Sequence, residues 1–140
     1  MKTPLALLTL AALVLVTAPA YSDQAAAREK LQKDGIEFKP EVFLQKVAEG
    51  DSSHVALFVE AGIDPSVKSG SNRTALWIAT ERRQLGVLKA LLAAGVKPDA
   101  QNAPAMEYGK SIVLEAVDTG ETEFVRALAE AGADVNAVNE

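Results

Sequence analysis

The sequence predicts an all-α protein, a solenoid of about three stacked helix pairs with a further helix capping the N-terminal end. Three observations carry that expectation. The segments EAGIDPSV (60–67), AAGVKPDA (93–100) and EAGADVNA (130–137) end alike, with Gly62 and Gly95 33 residues apart and Gly95 and Gly132 37 apart. Counting backwards from each glycine superimposes Leu57-Phe58-Val59 on Ala90-Leu91-Leu92 and Ala127-Leu128-Ala129, and Phe43-Leu44 on Leu76-Trp77 and Val113-Leu114. Within each copy the apolar residues recur at helical spacing. Helices of about eight to ten residues are marginal alone, so neighbouring copies must bury one another's faces.

The elements follow in chain order. Residues 1–20, MKTPLALLTLAALVLVTAPA, read as an export signal. Lys2 supplies a basic start, 5–18 form an apolar stretch broken only by Thr9 and Thr17, and Ala18 and Ala20 are the small residues a signal peptidase reads. A stretch of that length spans about 21 Å as a helix, short of a hydrocarbon core of about 30 Å. Cleavage after Ala20 is therefore expected, with a periplasmic or secreted product and no stable membrane insertion. With no cysteine in the chain there is no lipid attachment site. Residues 21–37 are expected to hold a capping helix at about 25–32 (AAAREKLQ) and a linker containing Asp34-Gly35.

The remainder, 38–140, divides into copies of about 38–70, 71–103 and 104–140. First helices are predicted at 41–48, 74–82 and 111–118, and second helices at 53–61, 86–94 and 122–131. Gly50 and Gly120 turn the chain between them with positive φ. Arg83 holds the same place in the middle copy, where a left-handed backbone costs it about 1 kcal/mol more than glycine. Gly62, Gly95 and Gly132 end the second helices, and Pro65 and Pro98 follow where a helix cannot continue. Thr74 and Ser111 can cap their helices. The four extra residues of the third copy fall around QNAPAMEYG (101–109). The sequence given stops at 137–140, where another copy would begin, so the last pair is expected to be polar outside or covered by something.

On RTALWIA (73–79) and AGADVNA (131–137), with the period and paired helices, the chain resembles the ankyrin-repeat family over about 38–140. It departs from the family's T-P-L-H start in every copy. Ala75 and Ile112 replace the proline, and Leu44, Trp77 and Leu114 replace the histidine, which removes the family's Thr–His hydrogen bonding.

Composition narrows the function. The 140 residues carry 14 Lys+Arg against 19 Asp+Glu, are 49% apolar, 24% charged and 5% aromatic, and contain no cysteine and one histidine. Loss of Lys2 with the signal leaves 13 basic against 19 acidic side chains, a charge of −6. Such a chain is too charged for a polytopic membrane protein, too apolar for disorder, and too acidic to favour a phosphate backbone, so no nucleic-acid partner is expected. Disulfides and thiolate metal sites are excluded.

Local candidates for chemistry have structural explanations. His54 aligns with Val87 and Phe124, a semi-buried place on a second helix. As a base it would need Ser52 or Ser53 and an orienting carboxylate, but those serines fall at a helix start, where capping accounts for them, and no G-x-S-x-G occurs. One histidine is too few for a zinc site. Asp64 and Asp134 occupy equivalent positions in their copies, and Trp77 aligns with Leu44 and Leu114 as a core residue. The sequon Asn72-Arg73-Thr74 includes a threonine already assigned to a helix start. No catalytic, metal or cofactor residue is expected.

The resemblance implies recognition of another protein through hairpin tips and the exposed ends of the first helices. Carried onto this sequence, the tips are Ser71 and Arg73, then Met106, Glu107, Tyr108 and Lys110. The helix ends are Ala48 and Glu49, Glu81 and Arg82, and Asp118 and Thr119. A tip tyrosine and methionine suit a binding hot spot. Two roles are open: an immunity or inhibitor protein for a periplasmic enzyme or toxin, or an accessory scaffold for an exported enzyme such as one in oxidative-stress defence. Oligomeric state is not specified by these features.

Overall fold

The computed structural model describes residues 21–98 and 111–135, and the chain there is all-helical: α1 (Tyr21–Lys33), α2 (Pro40–Glu49), α3 (Ser52–Glu60), α4 (Ala75–Glu81), α5 (Leu85–Ala93), α6 (Ile112–Thr119) and α7 (Thr122–Glu130). The expected signal, 1–20, lies outside these residues. The six helices α2–α7 fall within one residue of the predicted bounds at every end. The capping helix is longer than expected, beginning at Tyr21 rather than at residue 25. No breaker separates 21 from 25, and Asp23 in the first turn favours the positive helix start.

Local chemistry sets the starts. The Thr74 Oγ1 accepts from the Trp77 N–H at 3.3 Å and the Ser111 Oγ from the Leu114 N–H at 3.2 Å, as predicted. In the first copy Pro40 opens α2 instead, its missing N–H costing nothing there. The start of α3 corrects the reading of Ser52 and Ser53. The cap is Asp51, whose carboxylate accepts from the His54 N–H at 3.2 Å, while both serines sit in the first turn.

The ends share one device. After α3, the Gly62 N–H donates to Val59 O and the Ile63 N–H to Phe58 O; Gly95–Val96 and Gly132–Ala133 repeat the pattern after α5 and α7. Between paired helices, Gly50 and Gly120 have φ of 80° and 75°, and Arg83 takes the same conformation at 58°. The left-handed turn at a non-glycine residue, read from register alone, is present. Asn72 is a second such residue, at 60°, which the sequence reading did not anticipate.

The helices stack in two layers. α2, α4 and α6 form one, α3, α5 and α7 the other, and α1 lies on α3. Each layer buries a row of apolar side chains: Phe43, Val47, Leu76, Trp77, Ile112 and Val113 in the first, Val55, Phe58, Leu88, Leu91, Phe124 and Leu128 in the second. Trp77 is 1% exposed, the core residue predicted. The middle helix α4 is buried on nearly all sides, from Ala75 through Thr80. Thr80 satisfies its hydroxyl on Leu76 O at 2.9 Å. Ala27 and Leu31 of α1 are buried, and its other side is polar.

The strained turn generates a prediction. Arg83→Gly relieves a left-handed residue whose side-chain ion pair with Glu121, at 3.9 Å, is long and exposed. It is expected to raise the free energy of urea unfolding by about 1 kcal/mol. Gly120→Ala, where an added Cβ meets nothing within 4 Å, should lower it by a similar amount. Unchanged midpoints in both variants would remove the assigned strain.

Candidate recognition surface

The hairpin tip between the first and second helix pairs is held tightly. Lys68 and Thr74 form an antiparallel bridge, the Ser69 N–H donates to Arg73 O at 2.9 Å, and the Asn72 N–H returns to Ser69 O at 2.8 Å. The Ser69 Oγ accepts from the Arg73 N–H at 3.2 Å and lies 2.9 Å from the Ser71 Oγ. The left-handed Asn72 closes this turn. From its base Arg73 reaches Glu81 at the end of α4, with Nη1 2.9 Å from Oε2 and 2.8 Å from Oε1. Tip and helix end, expected as separate contact points, are one pre-assembled unit. Each of its two side chains remains about a third exposed.

The other predicted positions distribute along the same edge of the first layer. Arg82 is exposed beside Glu81, Asp118 is exposed on α6, and Ser71 projects from the tip. Glu49 is exposed on α2, steadied by the Gln45 Nε2 at 2.8 Å and the Lys46 Nζ at 3.0 Å. Three successive inner helices therefore present one polar residue group each. Met106, Glu107, Tyr108 and Lys110 lie outside the described residues.

His54 is engaged on both sides. Its Nδ1 bonds Asp51 Oδ2 and its Nε2 lies 3.1 Å from Oδ2 of Asp34, which follows α1. Lys46 of α2 approaches the same Asp51 oxygen, with its Nζ 3.7 Å from Oδ2. The Asp51 carboxylate, helped by Asp34 and opposed by partial desolvation, holds the His54 pKa above its ordinary value. Burial works against ionised Asp51, but the His54 ring, its backbone N–H and Lys46 outweigh it and hold that pKa below the usual carboxylate value. The imidazole is a staple between the α1 end and α3. Among the described residues no group of three His, Cys, Asp or Glu side chains is placed to hold a metal ion, and no helix is long and apolar enough to cross a membrane.

A family model of ankyrin repeats, in three copies, matches residues 43–139. The chain belongs to the ankyrin-repeat family. Members are generally non-catalytic modules for protein–protein interaction. Comparison with curated proteins returns no match. The ankyrin pattern here survives loss of its usual histidine because Trp77 fills the position as a buried side chain, while Thr74 alone caps the helix.

Sequence reasoning missed the Asp34–His54–Asp51 chain and an open groove of about 540 Å³ beside α1, lined by Arg28, Gln32, Ile36, Phe38 and Lys39 among others. Arg28 lies over the Phe38 ring, 4.6 Å from its centroid, and its Nε donates to Ala61 O at 3.0 Å. Both features depend on α1 folding back onto α3, which no periodicity in 21–37 announces.

The staple fixes a pH dependence. Only the imidazolium can donate from both nitrogens, so its contribution is complete below the ordinary value of 6.5 and is lost as pH rises through the raised folded pKa. Asp51, depressed from 3.8, adds stability that is lost as pH falls through its folded value. Urea unfolding free energy of the protein should decline as pH rises from below 6.5 through the raised folded value of His54, and His54→Gln should flatten that decline. Equal slopes in the two proteins would show that the ring staples nothing.

Proposed function

We propose that this ankyrin-repeat protein is an exported, non-catalytic recognition module that holds another protein against the hairpin tip at 68–74 and the exposed ends of α2, α4 and α6. The observation that supports this most directly is the Arg73–Glu81 pair. It spends two charged side chains on fixing a solvent-facing hairpin to a helix end, at 2.8 and 2.9 Å, where the core gains nothing from it. A rigid, partly exposed polar unit has already lost its conformational entropy before a partner arrives. The ridge continues through Glu49, Arg82 and Asp118, positions that differ in charge while the helices beneath them keep apolar cores. Such variation suits one partner rather than a repeated ligand.

Within that reading the favoured role is an immunity or inhibitor protein acting on an enzyme or toxin outside the cytoplasm. The formal charge of −5 favours association with a basic partner. An accessory role beside an exported enzyme would need no such charge. Export rests on residues 1–20, with the periplasm or medium as destination. His54 is engaged by two carboxylates as a staple, which favours recognition over catalysis.

Affinity capture with the tagged full chain from an extract of the source cells tests the reading. A single dominant protein partner is expected, with affinity weakened about tenfold or more by Arg82→Glu or Asp118→Lys at an unchanged unfolding midpoint. Capture that survives both variants intact would remove this ridge as the contact surface. Mass spectrometry of the exported fraction should place the mature N-terminus at Tyr21.

A further inference from the structure

The groove beside α1 takes no part in the recognition ridge. It holds about 540 Å³ between Arg28 and Gln32 of α1 and the segment 35–39 that leads into α2. Arg28 and Gln32 stand one helical turn apart, so their side chains share a face. Ile36 and Phe38, both half-buried, give the groove its apolar lining. Phe38 is fixed in place, because its ring stacks on that of Phe58 with centroids 5.8 Å apart. Phe58 in turn meets Phe43 at 5.7 Å, and both are fully buried.

Arg28 is oriented in this groove without being neutralised. Its Nε donates to Ala61 O at 3.0 Å, and its guanidinium carbon lies over the Phe38 ring, 4.6 Å from the centroid. A carbonyl and a ring hold the guanidinium but carry no net charge. Among the described residues its Nη1 and Nη2 have no partner, and neither has the Gln32 amide. The carboxylates nearest in sequence are matched elsewhere: Glu29 by Lys33 at 2.9 Å, and Asp34 by the His54 Nε2 at 3.1 Å. Glu37, which lines the groove itself, is matched by Lys39 at 2.6 Å. Within an acid-rich stretch, the groove keeps one uncompensated positive charge beside an apolar surface.

The spacing of charge and apolar surface selects the occupant. A guanidinium with both Nη atoms free donates two parallel hydrogen bonds to a carboxylate. The apolar lining begins at once, at the ring beneath that guanidinium. An aspartate or glutamate inside a chain has no second, apolar side chain on the same residue, and its neighbours in an extended chain point to the opposite side. A C-terminal apolar residue carries carboxylate and side chain on one Cα. We propose that the groove formed by Arg28, Gln32, Ile36 and Phe38 binds the C-terminal residue of a partner polypeptide, an apolar residue whose free carboxylate meets the Arg28 Nη atoms. Its side chain covers Ile36 and the edge of Phe38, and the Gln32 amide supplies a further donor. The site shares no residue with the ridge, so each reading stands or fails by its own experiment.

The probe is a short glycine–serine peptide ending in leucine with a free carboxylate, titrated into the isotope-labelled full chain and followed by backbone amide NMR. The expected result is binding that weakens as salt rises, with the moved signals in α1 and at 35–39. Amidating the peptide's C-terminus, a change that leaves the protein untouched, should weaken binding about tenfold or more. Arg28→Lys keeps the charge but loses the fork, and should weaken the free-acid peptide by a similar factor. Gln32→Ala should weaken it about threefold with no change in the unfolding midpoint, since Gln32 is exposed. Equal binding of the amidated peptide, no binding of the free acid, or moved signals confined to 68–74 and α4 would overturn the proposal. N-acetyl-leucine binding as tightly as the peptide would also overturn it, and would make a small carboxylate the ligand.

Discussion

Contact between successive helix pairs is the constraint on which the rest depends. No helix from α2 to α7 exceeds ten residues, and an isolated segment of that length forms little helix in water. Each persists because its apolar side meets the next pair, so stability is a sum of neighbour interfaces rather than the property of one central core. The middle helix shows the consequence most sharply. α4 has seven residues, six of them buried, and Trp77 is the largest side chain enclosed. It could not be amphipathic and serve that position, because both of its flanks are interfaces. With no disulfide to limit the unfolded state, the stack alone must supply the difference.

Polar side chains then tie each pair to its neighbour along the stack where helix ends leave carbonyls free. The Gln84 Nε2 reaches back across the pair boundary to Ala48 O at 3.4 Å, and Arg28 does the same from α1 to Ala61 O. These are equivalent solutions to one problem, the unmatched acceptors of a helix C-terminus. α1 itself ends as α3, α5 and α7 do, with the Gly35 N–H donating to Gln32 O and the Ile36 N–H to Leu31 O. It behaves as the outer helix of a copy whose inner helix is missing. At the cap, where the later copies place Ala61, Ala94 and Ala131, α1 has Asp34, and that single change provides the carboxylate His54 uses.

Features encoded within a few residues were legible in the sequence. The helix bounds, the caps at Thr74 and Ser111, and the left-handed Arg83 follow from period, side-chain type and register. The recognition edge was legible only as a set of places. Arg73 and Glu81 are eight residues apart on different elements, and no local rule pairs long side chains across a hairpin and a helix end. His54 and Asp34 are twenty residues apart, and their meeting requires the packing of α1 on α3. The cap of α3 was misplaced for a different reason. Asp51, Ser52 and Ser53 can all accept an N–H, and the choice among adjacent capping residues is decided by where Gly50 releases the chain.

Charge segregation links stacking to recognition. A cationic middle pair beside an anionic final one is favourable within the molecule, since their surfaces meet along a shared edge where Arg83 approaches Glu121. The sign of charge alternates along the stack, because residues 21–65 carry nine acids against five Lys and Arg, residues 66–98 six cations against Glu81, and residues 111–135 six acids against Arg126. A basic partner is drawn to the acidic first and last pairs, while an acidic part of the same partner is drawn to the Arg73–Arg82 region between them. Orientation is thereby set before contact. The alternation of charge that lets adjacent repeats stack therefore also sets how a partner meets the ridge formed by the tip at 68–74 and the ends of α2, α4 and α6.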